Sequence, residues 1–143
     1  MAQSGKIKFF FPYRTSLAHR SGLKEFIKAV FRKEGKSLEE LNYVFCSDKE
    51  LLRINKDFLR HNYYTDIITF DLSESGKAIR GEIYISAERV RDNALKLGVS
   101  FKSELHRVIF HGVLHLCGYG DKNEKLSRIM RGKEDFYLNQ YFK

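Results

Sequence analysis

The sequence predicts an α+β fold: a small mixed sheet packed with helices, with a metal-site helix in the core, in one domain spanning residues 1–143. Three observations predict it. Short runs rich in aromatic and β-branched residues are interspersed with segments whose apolar residues recur at helical spacing. Two strand-like runs are separated by little more than S-E-S-G-K, which marks a hairpin. No repeat, low-complexity tract or linker interrupts the chain, and its single proline is Pro12.

The elements follow in order. I-K-F-F-F-P-Y (7–13) reads as an aromatic strand that Pro12 ends. Leu23, Phe26, Ile27, Val30 and Phe31 place an amphipathic helix over 16–34. Its outer face carries Arg20, Lys24, Lys28 and Arg32, a basic stripe that reads first as a solvated face and second as a phosphate-binding one. L-N-Y-V-F-C (41–46) alternates as a strand. Ser47 with Glu50 forms a capping box for a helix expected to bury Leu51, Leu52, Ile54 and Phe58. D-I-I-T-F-D-L (66–72) and I-R-G-E-I-Y-I-S (79–86) are the hairpin strands. Ser86 caps a helix that runs to Leu97, where Gly98 stops it. A further helix runs from Ser100 to Leu116. The tail, 124–141, has helical spacing at Leu126, Ile129, Met130 and Phe136.

Composition narrows the function classes. Hydrophobic residues make up 43% and aromatics 14%, which excludes a disordered chain. The longest apolar runs are far short of the ~20 residues of a membrane span. The start, M-A-Q-S-G-K-I-K-F-F-F, lacks the apolar length of a signal peptide. Two separated cysteines, Cys46 and Cys117, argue for a reducing, cytoplasmic setting and against a disulfide scaffold. The formal net charge is +8 and the pI about 9.5, which points to a polyanionic partner such as RNA or the ribosome.

The chemistry concentrates in H-G-V-L-H-L-C-G-Y-G-D, residues 111–121. His111 and His115 stand at i and i+4, so one helix face can offer both imidazoles to one ion. Gly118 breaks the helix, and the chain can return a carboxylate, Asp121, as third ligand. Two helix histidines, a glycine turn and a third ligand six residues on is also the metzincin arrangement. Three protein ligands leave a coordination position for water, the mark of a catalytic site. The bland reading, two satisfied core histidines, is the weaker one at this spacing. Cys117 reads as core, since it faces away from His115 on a helix. Gly112 stands where a metalloprotease has its general-base Glu, so peptide hydrolysis by that route lacks its base. The glycine would also let a chain or substrate approach the helix closely. Glu104, on roughly the same face, is either a partner for a ligand imidazole or a first-turn acid favoured by the helix dipole.

At these residues the chain resembles the YbeY family, whose motif is H-G-x-L-H-L-x-G-Y-D-H. T-D-I-I-T-F (65–70), G-E-I-Y-I-S (81–86), the E-L…H-G lead-in at 104–112, and Met130 with Glu134 also resemble family blocks in family order. The resemblance implies a mainly parallel mixed sheet and one divalent ion, zinc first with nickel suited to the same imidazoles, held at His111, His115 and Asp121. It implies a single-strand-preferring endoribonuclease in 16S ribosomal RNA maturation and ribosome quality control. Ribosomal RNA, small-subunit proteins and a ribosome-associated GTPase are the implied partners. There are three departures. Asp121 replaces the family's last His, and Gly120 its Asp. The family's catalytic Arg falls at Leu59, with Arg60 one later, and Tyr64 replaces the family's proline; Arg60 is the residue taken to serve. Tyr63 and Tyr64 could stack on unpaired bases, ordinary partial burial being the alternative. Two rival functions stay open: a non-catalytic ribosome-assembly or RNA-binding protein with a structural metal, and a metal-dependent hydrolase of another substrate.

Overall fold

A computed structural model describes residues 5–143; residues 1–4, part of the stretch read for a leader, lie outside the described residues. The elements are β1 (Lys6–Phe10), α1 (Arg20–Lys33), β2 (Leu38–Cys46), α2 (Asp48–Leu59), β3 (Ile67–Asp71), β4 (Ile79–Ser86), α3 (Ala87–Leu97), α4 (Phe101–Leu116) and α5 (Glu124–Tyr141). The sheet order is β1-β2-β4-β3. β1 and β4 both run parallel to β2, with Ile7 opposite Leu41 and Tyr43 opposite Ile83. β3 returns antiparallel to β4 with Thr69 opposite Ile83, so the hairpin and the mixed, mainly parallel sheet are both present. The solid-state logic is alternation: Leu41, Tyr43 and Phe45 bury one face of β2 in the main core with α1, α4 and α5. A smaller cluster of Cys46, Leu51, Ile54 and Ile68 seats α2 on the sheet.

Cap chemistry fixes the helix starts. Ser47, Ser86, Ser100 and Asn123 each accept a backbone N–H in the first turn of the following helix. Glu50 does not complete the expected box, because its carboxylate pairs with Arg53. α1 begins at Arg20 rather than 16, since His19 sits in the left-handed region at φ 56° and cannot continue a helix N-terminally. β1 stops at Phe10, short of 13, although Tyr13 N–H still donates to Phe45 O at 3.0 Å. Phe58 is 67% exposed instead of buried, lying edge-on to Phe70 at the end of α2, and Leu52 is half-buried. α5 buries Met130, Glu134, Tyr137 and Leu138, leaving Leu126, Ile129 and Phe136 at the surface. The periodicity was helical as expected, but the inward face is rotated toward a carboxylate.

α4 lies at the centre, touching α1, α3, α5, β3 and β4. Tyr43 Oη donates to Ile109 O at 2.9 Å and ties it to the sheet. Two glycines permit the close approach. A Cβ on Gly112 would stand 2.6 Å from Ile83 Cδ1, and one on Gly81 2.8 Å from Leu116 Cδ1. Gly112 therefore serves helix–sheet packing; the substrate-approach reading is corrected. Gly112→Glu, which would restore the protease acid, is expected to drive a carboxylate into Ile67 and Ile83 and to cost several kcal/mol. A thermal melt of that variant close to wild type would show that the helix can lift off the sheet. No helix among the described residues is long and apolar enough to cross a membrane.

Candidate metal centre

α4 carries the histidines and then ends abruptly. Gly118 takes φ 109°, and the turn closes with Gly118 N–H to His115 O and Tyr119 N–H to Leu114 O, both 3.0 Å. That pair of bonds satisfies the last carbonyls and turns the chain back along the helix. Asp121 follows, and its Oδ2 stands 3.4 Å from His111 Nε2. Two donors ~2.0–2.1 Å from one tetrahedral centre are separated by about 3.4 Å, so this spacing fits a shared cation. His115 lines the same cavity, exposed, its ring 11° from parallel to His111 with centroids 6.3 Å apart. Among the described residues no three His, Cys, Asp or Glu side chains are drawn together tightly enough to grip an ion as they stand. Imidazole and carboxylate are suitable donor types for a divalent ion; the structure brings His111 and Asp121 together and leaves His115 exposed on the same cavity.

His111 is fixed from behind. Its Nδ1 lies 2.7 Å from Glu134 Oε2, and Arg107 Nη1 donates to Glu134 Oε1 at 2.8 Å. A carboxylate can only accept, so Nδ1 carries the proton and Nε2 is the nitrogen left to face a cation. Arg107 also reaches Asp135 Oδ1 at 2.6 Å. The cavity, about 420 Å³, is walled by Asp66 and Thr69 from the β3 side, Glu104 and Arg107 from α4, and Arg131 from α5. Cys117 is buried, as read, and burial pushes its thiol up to about 12.

The electrostatics sort the acids. Burial alone would raise the Glu134 carboxyl, but hydrogen bonds from His111 and Arg107 hold it below the ordinary range. Burial would lower His111, yet Glu134, then Asp121 and Asp66, raise it above the ordinary histidine value. Burial raises Asp66, and it raises Glu104 with help from the Asp66 charge. Glu104 thus enters the cavity wall; the imidazole partner is Glu134. In the metal-free protein the His111–Glu134 pair stabilises the fold between these two shifted values. The histidine share is full below the unfolded value of about 6.5 and is lost as pH rises through the raised one; the glutamate share is lost as pH falls through its lowered one. Urea denaturation of the metal-free protein should show stability falling as pH rises above about 6.5. The same slope in His111→Gln would assign it to another group.

Sequence reasoning did not single out Asp66, Arg107 or Arg131, or the role of Glu134. Arg107 and Glu104 were available as signals, since they precede His111 by one and two helical turns. Arg60 closes α2 in the left-handed region at φ 59°, its side chain exposed, and it is not among the residues lining the cavity. Tyr63 and Tyr64 are 56% and 52% exposed, so each is packed on one side and open to solvent on the other. Tyr63 stacks on His61, and the Arg89 guanidinium lies 5.0 Å over Tyr64. In the α1 stripe, Arg20 covers Phe11 and Lys28 pairs with Glu25, as in an ordinary solvated face.

The sequence profile of the family described as Endoribonuclease YbeY matches residues 14–142. The chain belongs to the YbeY family. The Endoribonuclease YbeY of Cytophaga hutchinsonii is 50% identical over 133 residues, covering 92% of this chain and 93% of that protein. That of Karelsulcia muelleri is 46% identical over 132 residues, covering 92% and 93%. The solution structure of TM1509 from Thermotoga maritima matches with a TM-score of 0.65 at 29% identity, over 93% of this chain and 86% of that one. Membership bears out the resemblance read from the motif blocks and the endoribonuclease class it implied.

Proposed function

We propose that the protein is a metal-dependent endoribonuclease cutting single-stranded ribosomal RNA, in cytoplasmic 16S rRNA maturation and ribosome quality control. His111, His115 and Asp121 hold one divalent ion, zinc first and nickel next. Small-subunit proteins and a ribosome-associated GTPase are its partners in this reading. One observation carries it: His111 is pinned at Nδ1 by Glu134 while Nε2 faces Asp121 in an open cavity. A divalent cation bound there supplies Lewis acidity toward a phosphoryl oxygen and acidifies water.

The chain's own groups bind and orient the strand. Lys122, Lys125, Arg128 and Arg131 are exposed between the Asp121 turn and the first turns of α5, a positive rim for phosphates. The exposed rings of Tyr63 and Tyr64 offer stacking surface to unpaired bases, which a duplex cannot present. Their loop ends at Thr65 and Asp66 in the cavity wall. Arg60 opens the same loop outside the cavity lining, and in this reading it reaches the bound phosphate from the loop side to stabilise the charge that builds there. Asp66 and Glu104, whose carboxyls burial raises, also face the cavity.

Elemental analysis of the purified protein, with cleavage of a single-stranded rRNA fragment with and without chelator, tests this. About one ion per chain, and cleavage lost both to chelator and in His115→Ala, are expected. Unchanged cleavage by His115→Ala would remove catalysis from this site; a bound ion with no cleavage would favour the assembly-protein reading, and turnover of a peptide panel the other hydrolase.

A further inference from the structure

Outside the cavity lining, one carboxylate gathers three donors. Glu34, the residue after α1, accepts from Tyr119 Oη at 2.7 Å, from Lys133 Nζ at 3.1 Å, and from Tyr137 Oη. Its side chain is only 9% exposed. Hydrogen bonds from the two tyrosines and Lys133 outweigh its burial and keep it ionised at neutral pH. The donors come from two different elements. Tyr119 belongs to the turn after α4, two residues before Asp121; Lys133 and Tyr137 belong to α5, beside and one turn beyond Glu134. Lys133 also lies 5.5 Å over the Tyr119 ring, so turn and helix are held against each other as well as against Glu34.

We infer that Glu34 is a positioning residue for the metal centre: it sets the Asp121 turn through Tyr119, and the Glu134 that orients His111 through α5. No part of Glu34 touches the cavity. Its effect runs through the relative placement of an acid ligand in the turn after α4 and an imidazole's support on α5. Three donors on one ionised acid are stronger than three neutral pairs and hold a single geometry. This rests on the proposed metal site, and the test separates the two ideas.

Zinc affinity is measured by competition with a chromophoric chelator, on protein shown folded by circular dichroism. Glu34→Ala is expected to weaken binding about 10–100-fold, as losing an outer support does. Glu34→Gln, which keeps the shape, should fall between Ala and wild type. Tyr119→Phe cuts only the link to the turn. It should weaken zinc binding in the wild-type background and have little further effect in Asp121→Ala, because the ligand it positions is gone. Additive losses for Tyr119→Phe and Asp121→Ala, or wild-type affinity in Glu34→Ala, would overturn the inference. No zinc binding by the wild type would instead overturn the site itself. A Glu34→Ala chain that fails to fold leaves the Tyr119 cycle to decide, since Tyr119→Phe keeps Glu34 and its Lys133 and Tyr137 partners.

Discussion

Glu134→Ala should lower both stability and metal affinity. The carboxylate is buried and receives His111 and Arg107 on its two oxygens. Removing one partner of a buried charged set typically costs 3–5 kcal/mol, because the remaining charge stays desolvated. Arg107 keeps Asp135, which is half exposed, so a loss near the lower end, about 3 kcal/mol, is expected. His111 loses the acceptor that fixes its tautomer, and binding should weaken about 10–100-fold in addition. Denaturant unfolding and zinc competition on one preparation check both. Glu134→Gln separates them: an amide can still accept from Nδ1, so affinity should recover further than stability. Wild-type zinc affinity in Glu134→Ala would mean that His111 does not depend on this support.

Asp121 gives the second large effect. Asp121→Ala removes the acid that faces His111 Nε2 and should weaken metal binding about 10–100-fold or more. Asp121→His puts back the imidazole of the family motif and should bind at least as well as wild type. The carboxylate is half exposed, so neither change should move the melting temperature of the metal-free protein much. Equal metal content in wild type and Asp121→Ala would show that another group, such as Glu124 or water, completes the set.

What the sequence could reveal followed from local rules. All nine elements found among the described residues were legible from spacing, and several are bounded by local chemistry such as Ser47, Ser86, Gly98 and Gly118. His111 and His115 were legible because helical geometry alone puts them on one face. Misreadings arose where a neighbour from far along the chain decides. Phe58 looked like a core residue by spacing, but it stays 67% exposed with an edge-on contact to Phe70 of β3. Gly112 looked like an opening toward substrate, and it is a contact with Ile83, a residue 29 positions earlier. Glu134 was visible only as one letter of a motif. Its pairing with His111 and Arg107 depends on how α5 lies across α4, which no local pattern encodes. Arg60 shows the limit from the other side: its place beside a loop could be counted, but the direction of its guanidinium could not.

The close seating of Gly112 on β4 has a kinetic consequence. Backbone amides around Ile109 to Val113 sit in the most enclosed part of the molecule and exchange with solvent only when the whole fold opens. His111 rides on that segment, whereas Asp121 lies past the Gly118 turn on exposed backbone. Amide exchange is therefore expected to be far slower at His111 than at Asp121, a contrast that hydrogen-exchange mass spectrometry reads directly.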